Sequence, residues 1–547
     1  MKKGLLKKLT ALGLTVATAL TTACGGTATS TETSASTDTS VSTSTETSTE
    51  TSTASDTIDK FDEEVSIRVM LWDRGNAAPN TTTEDNALTQ WIQEQMKELY
   101  NINVEYVSVP RSGSDDSLNI MMTGGTAPDI VFTYSQNLFY NYAANGALND
   151  LTALYEQYGE NIETYCQEAQ GIGTVDGTRY AVMKQRGAEN NRHQAYIRQD
   201  WLDELGMDLP TTKAELETYL YAVKEAKLGG ENTVPWAMSG RTDTEKNYLN
   251  FVGSYVTLES DRDAYIYSEA YMAVAPGSKD GLQTLNKWYN DGLITMDFPT
   301  DTTEDGMKAD IANGRTGFVL DDKTQPWDSI EVLNSTTGST TFVPVQCFEL
   351  ADGTYRNPFE YRYAMFVMIP STTTDENKIV ACMKYLNWLA DPENAVNVRY
   401  TPDHTTDENG IAYEPTQAEK DEKGYPGTCD DLCIMNLNFS WVSDLDTLAK
   451  IDYSNQETEW ESLEWFENFY QVCEVGKFRY PTYGYISEDE QTYGTDVQTK
   501  MIEFVYTVIC APADEFESTY ETEYAKLESA GLQKILDARA AYYDSQN

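Results

Sequence analysis

Between Val65 and Tyr106 the spacing of apolar residues changes period twice, and that change limits the possible folds more than any other feature of the chain. Ile67, Val69 and Leu71 alternate with polar or smaller residues up to Trp72-Asp73-Arg74. Leu88, Trp91, Ile92, Met96 and Leu99 then recur at helical spacing, and Ile102, Val104 and Tyr106 return to period two. Strand, helix and strand in that order make a βαβ unit, and the helix returns the chain to the end of the sheet it started from, so the strands run parallel. The expected fold class is therefore α/β. A third strand ends in Ala127-Pro128-Asp129-Ile130-Val131-Phe132 and passes into Tyr134-Ser135-Gln136-Asn137. In open α/β sheets such loops, at the carboxyl ends of strands, form the ligand crevice.

A second α/β block opens at Tyr196–Leu202. Thr212 with Glu215 three residues later forms a capping box, predicting a helix over Ala214–Leu228 that stops at Gly229-Gly230. Asp176-Gly177 between short extended runs predicts a two-residue hairpin. Gly171, Gly173 and Gly177 do not make a dinucleotide fingerprint, because the third glycine is one residue too far on and no helical pattern follows. Residues 314–322 read as a turn and a strand, Tyr363–Ile369 as a buried strand stopped by Pro370, and Ile379 to Leu389 as the next helix.

At the other end of the chain, Lys2, Lys3, Lys7 and Lys8 precede an apolar run from Leu9 to Leu20 and small residues up to Cys24. This is the pattern of a secretory signal peptide, too short for a comfortable membrane span. Thr21-Thr22-Ala23-Cys24 resembles a bacterial lipobox, with Thr21 where that motif usually has an aliphatic residue, and implies cleavage after residue 23 and lipid on Cys24. From Gly25 to Asp56, 21 of 32 residues are Ser or Thr, which predicts a disordered tether over 24–59.

The 88 acidic residues against 39 basic give a net charge of -49, and loss of the four leader lysines takes it to -53. A phosphate backbone would be repelled at long range, so nucleic acid is excluded as a partner. With 40% hydrophobic and 11% aromatic residues the chain can bury a core, so the acidity belongs to its surface. Two histidines, His193 and His404, leave little for His-rich metal sites. After cleavage before Cys24, seven further cysteines remain. They cannot all pair internally, and they read mostly as buried small hydrophobes.

Several segments, in order, resemble the family 1 extracellular solute-binding proteins, the substrate receptors of bacterial ABC importers: the leader, Ala127–Ile130, Tyr196–Thr212, Asn313–Asp322, Asn377–Asn394 and Glu523–Asp544. The resemblance implies a two-lobed periplasmic-binding-protein-like fold with a hinged inter-lobe cleft, lobe 1 being 60–194 with 362–400 and lobe 2 being 195–361 with 401–547. The chain would cross between lobes near Gln194–Arg198, near Tyr361–Ala364 and between Tyr400 and Cys429. The implied function is capture of a neutral oligosaccharide for an ABC permease, without cofactor or metal, by a monomer held to the outer face of the membrane through its lipid alone.

Sugars are held by stacked aromatic rings and by side chains that bond pairs of hydroxyls. Loops after strands supply the candidates in the first lobe: Trp72, Asp73, Arg74, Tyr134, Gln136, Lys184 and Arg186. The second lobe and the crossings supply Trp236, Arg241, Asp322, Trp327, Arg362 and Trp441. Trp91, Trp201, Trp288 and Trp388 sit on helical or capping patterns and are expected in the core. Asp407 and Asn409-Gly410 match part of a calcium loop, but Thr405 and Thr416 occupy positions that require Asp and Glu. A secreted glycoside hydrolase is the rival class. It would need two carboxylates about 5–10 Å apart across a cleft, which 88 acids do not exclude.

Overall fold

A computed structural model of the chain describes residues 58–241, 245–456 and 458–546. The leader, Cys24 and nearly all of the tether lie outside the described residues. Within them nine strands build two sheets: β1 (Val65–Asp73), β2 (Ile102–Pro110), β3 (Val131–Thr133), β4 (Ala181–Gln185), β5 (His193–Arg198), β6 (Val234–Ala237), β7 (Thr316–Asp322), β8 (Phe342–Val345) and β9 (Tyr363–Met368). The helices that bear on the site are α1 (Ala87–Tyr100), α2 (Ser114–Thr123), α3 (Gln136–Ala144), α4 (Lys213–Ala226), α5 (Trp327–Thr337), α6 (Leu463–Cys473), α7 (Glu488–Cys510) and α8 (Leu532–Gln546).

The first sheet has the order β2-β1-β3-β9-β4. β1 and β2 pair in parallel from Val65↔Ile102 to Asp73↔Pro110, as the period change requires. The β1 edge meets the third strand at Val69↔Ile130, also parallel. β9 lies antiparallel between β3 and β4. A capping box between Asn86 and Thr89 opens α1, and Asn101 closes it in the left-handed conformation at φ 59°. Leu88, Ile92 and Met96 are buried, in one core with β1, β3, β4 and β9.

The second sheet runs β8-β5-β7-β6, with β8 and β7 antiparallel to β5 and β6 parallel to β7. Its faces separate with period two. Ala195, Ile197, Phe318 and Leu320 turn to a core shared with α7 and α8, while Tyr196 and Val319 turn to a second cluster with α5 and α6. The Thr212–Glu215 capping box forms as expected and α4 follows it. The stop comes earlier than expected, because Lys227 itself takes the left-handed conformation at φ 51°. The Asp176-Gly177 hairpin is present, with φ of 49° and 82° at its two central residues, and only glycine takes the second of these without strain.

The chain leaves the first sheet after β4 and enters the second at β5, then returns between β8 and β9. The third passage differs from expectation. Ala412, Tyr425, Cys429, Leu432 to Met435 and Phe439 are all buried in the core of the first sheet, and Trp441 and Val442 pack on it. The next apolar residues, Leu445 and Leu448, belong to the other side. Residues 401–442 therefore pack with the first lobe, and the crossing falls between Val442 and Leu445. The polar composition of 401–428 hid the few apolar residues that decide the matter. All seven described cysteines are free thiols, six of them buried.

Candidate functional site

A cavity of about 780 Å³ opens between the two sheets. The carboxyl ends of the strands build it, as the crevice rule expects. β1 delivers Trp72, β2 delivers Arg111, β3 delivers Tyr134 to Asn137, β4 delivers Arg186, and β7 delivers Asp322 to Gln325. The crossings add Asn191 to His193, Pro358 to Tyr361, Tyr363 and Ala364, and the C-terminal third closes the far side with Tyr480 to Tyr483, Tyr485, Ile486, Glu490 and Arg539. A smaller cavity of about 320 Å³ shares Tyr134, Arg186, Lys323 and Glu360 and extends towards Lys184 and Asp430.

Five of the thirteen candidates line the main cavity: Trp72, Tyr134, Gln136, Arg186 and Asp322. Trp72 is only 2% exposed, because Arg111 lies over its ring at 4.2 Å and Tyr134 leans on it with centroids 5.2 Å apart. Trp72 therefore supports the wall, and Tyr134, at 41% exposure, presents the ring. Gln136 donates from Nε2 to the Tyr363 hydroxyl at 3.1 Å, and Tyr363 stacks on Tyr361 with planes 7° apart. Arg186 is ion-paired with Glu360. Asp322 is a hub: Oδ1 faces Arg192 Nε at 3.0 Å and His193 Nε2 at 3.1 Å, and Oδ2 accepts from Arg241 at 3.1 Å. Burial opposes its ionisation, but His193 and Arg192 outweigh it and hold the carboxyl well below its ordinary range. Its neighbour Asp321 behaves oppositely: burial, then the charge of Glu304, pushes it up to about 7.

The other candidates have different work. Lys184 lines only the smaller cavity, buried, with Nζ 3.4 Å from Asp430. Asp73 holds the turn after β1, accepting from Gly75 N–H and the Thr83 hydroxyl. Arg74 turns away to a two-bond pair with Asp431 at 2.5 and 2.9 Å. Arg241 stands behind Asp322 and also pairs with Glu304. Arg362 pairs with Glu168 at 3.0 Å. Trp236 lies within β6 and not beyond it, so it is wholly buried against Phe251, Trp288 and Phe318. Trp327 opens α5 and packs edge-on to Trp465 and Phe469, its indole N–H donating to the Tyr196 hydroxyl. Trp441 stacks on Phe439 beside the first core. Asp407 accepts the N–H groups of Asn409 and Ile411, which makes it a turn former. Trp288 is buried in the second core, as its helical spacing implies.

The sequence reading missed Arg111, Lys323, Glu360 and the tyrosines around 480–485. Arg111 follows β2 directly, as Arg74 follows β1, so the same loop rule would have found it. Nothing local marks the C-terminal tyrosines, whose place depends on α7 and α8 packing on the second sheet.

Two sheets facing each other across a cavity lined by strand-end loops define a two-lobed binding protein. The model of the bacterial extracellular solute-binding proteins matches residues 78–396, and the chain belongs to that family. Among solved structures it is similar to the alginate-binding protein AlgQ2 without calcium ion, with a TM-score of 0.64 at 18% identity over 88% of this chain and 99% of that one. It is similar also to the ABC-transporter substrate-binding protein FusA of S. pneumoniae in complex with kestose, with a TM-score of 0.63 at 16% identity, 88% coverage of this chain and 99% of that one. These likenesses bear out the expected two-lobed fold. Among curated proteins, the polygalacturonan/rhamnogalacturonan-binding protein YtcQ of Bacillus subtilis is 23% identical over 42% of this chain and 45% of its own length. The chain spans less than half the length of the curated relatives it matches, with shares of 45%, 41% and 43%. No helix among the described residues is long and apolar enough to cross a membrane.

Proposed function

We propose that the chain is the substrate-binding lipoprotein of an ABC importer, anchored through Cys24 to the outer face of a bacterial membrane, that captures an oligosaccharide between its lobes as a monomer and hands it to the permease. On this reading lobe 1 comprises residues 60–192 and 363–442 and lobe 2 the remainder from 193. The observation that carries the ligand class is the wall of the cavity, where rings from both sides, among them Tyr134, Tyr265, Tyr361, Tyr363 and Tyr483, stand beside hydrogen-bonding side chains. Faces of that kind suit sugar rings. Family membership supports a receptor over the glycoside hydrolase alternative, since the family is one of binding proteins, and the carbohydrate-binding relatives support a saccharide.

A thermal-shift screen of oligosaccharides against peptides and amino acids tests the reading. A ligand at a hundredfold excess over Kd adds about 2.7 kcal/mol to stability. Shifts with peptides and none with any sugar would overturn it. Release of reducing ends from the sugars would return the protein to the hydrolases.

A further inference from the structure

The cavity wall does not share the charge of the molecule. The chain carries 88 acids against 39 bases, but the residues lining the cavity include five of each: Asp115, Glu269, Asp322, Glu360 and Glu490 against Arg111, Arg186, Arg192, Lys323 and Arg539. Three of the acids are paired, Asp322 with Arg192, Glu360 with Arg186 and Glu490 with Arg539. Asp115 lies in the first turn of α2, where the helix dipole favours it, and takes the Thr133 hydroxyl. Glu269 is exposed to water.

Two cations remain. Among the described residues neither Lys323 Nζ nor the Arg111 guanidinium has a carboxylate within ion-pair distance or a side-chain hydrogen bond. Arg111 is stacked on Trp72 and 5.6 Å from the Tyr134 ring, and its buried Nε has no acceptor. A guanidinium lying over a ring can still offer its planar edge to a carboxylate in a two-bond contact. Lys323 borders both cavities. Burial, and then the nearby Arg186, drive its ammonium down to about 8, although Cys473, Asp452 and Asp322 pull the other way. An unpaired, partly buried cation costs free energy that an incoming anion recovers.

We infer that the saccharide taken by this cleft is acidic, a uronate-type oligosaccharide whose carboxylates meet Arg111 from the first lobe and Lys323 from the second. This replaces the expected neutral ligand, and it rests on the proposal that the cleft binds a saccharide. The molecule's net charge does not oppose it at contact range. Charges beyond about 8 Å are screened at physiological ionic strength, whereas a partly buried pair at bonding distance is screened much less.

The test is calorimetric titration of the full protein with di- to tetrasaccharides of galacturonic, glucuronic and mannuronic acid, each beside its carboxyl-reduced, neutral counterpart, and with a panel of neutral oligosaccharides. At least one acidic sugar should bind tenfold or more tighter than its reduced form. Lys323→Met and Arg111→Met should each shrink that ratio, Lys323→Arg should keep it, and melting curves show whether each variant folds. Neutral sugars binding as well as or better than acidic ones would overturn this inference and leave the receptor standing. An acid preference untouched in every folded variant would overturn the assignment to these two cations. Binding of no sugar in either panel would overturn the receptor proposal and this inference with it.

Discussion

Both lobes pair buried carboxylates with cations, as the second does with Glu304 and Glu490, but among the described residues the second also holds two carboxylates on neutral donors and the first does not. In the first, each is matched with a cation: Asp129 with Lys378, Asp430 with Lys184, Asp431 with Arg74. Burial works against Asp430, but Lys184 and Arg399 outweigh it and hold its carboxyl below the ordinary range. In the second, two carboxylates lean on neutral donors. Asp452 accepts from the Tyr470 hydroxyl, and Glu461 from Asn334 and the Thr340 hydroxyl. Burial therefore prevails and raises them to about 6 and about 7. Neutral hydrogen bonds satisfy the oxygens of a carboxylate without compensating its charge, so the second lobe should be the more sensitive to pH near neutrality.

The largest effect should come from breaking a matched pair. Arg74→Met leaves Asp431, whose side chain is 6% exposed, without its cation. Loss of a buried partner typically costs 3–5 kcal/mol, and the partial exposure of Arg74 brings the expected loss of stability to about 3 kcal/mol. Denaturant unfolding measures it. A change below about 1 kcal/mol, together with lost ligand affinity, would return Arg74 to the binding site and undo the contrast.

Glu461→Gln should do the reverse. A carboxyl raised in the folded state contributes stability that is fully present below its unfolded value, about 4.3, and lost as pH rises through the folded value of about 7. Glutamine carries no charge and can bond the same partners, because the Thr340 hydroxyl can accept as well as donate. The variant should match wild type near pH 4 and exceed it by about 2 kcal/mol at pH 8. Melting curves across that range check it, and parallel curves would mean that Glu461 is not the sensitive group.

The smallest effect concerns the cleft. Tyr134→Ala removes an exposed ring, so stability should hold while affinity for the sugar falls by about 1–2 kcal/mol. Titration gives the affinity and a melt the stability. A large drop in melting temperature with affinity intact would make Tyr134 a packing residue like Trp72.

Much of the frame was legible because it depends on neighbours in sequence. The period change from Ile67 to Tyr106 gave the parallel pair, the Thr212–Glu215 box opened a helix and Asp176-Gly177 turned a hairpin, since each is decided within a few residues. Strand ends also pointed to Trp72, Tyr134, Gln136, Arg186 and Asp322. Tertiary structure decided the rest. Trp236 and Trp327 belong to cores because faces of the second sheet close over them, Arg74 and Arg362 are taken by Asp431 and Glu168, and residues 401–442 pack with the first lobe on the strength of a few scattered apolar side chains. Arg111 and Lys323 stand more than 200 residues apart, and only the fold brings two cations without counter-ions into one cleft. The sequence states which groups exist and which local shapes they favour, but whether a charge or a ring is free to meet a ligand depends on what distant segments have already paired with it.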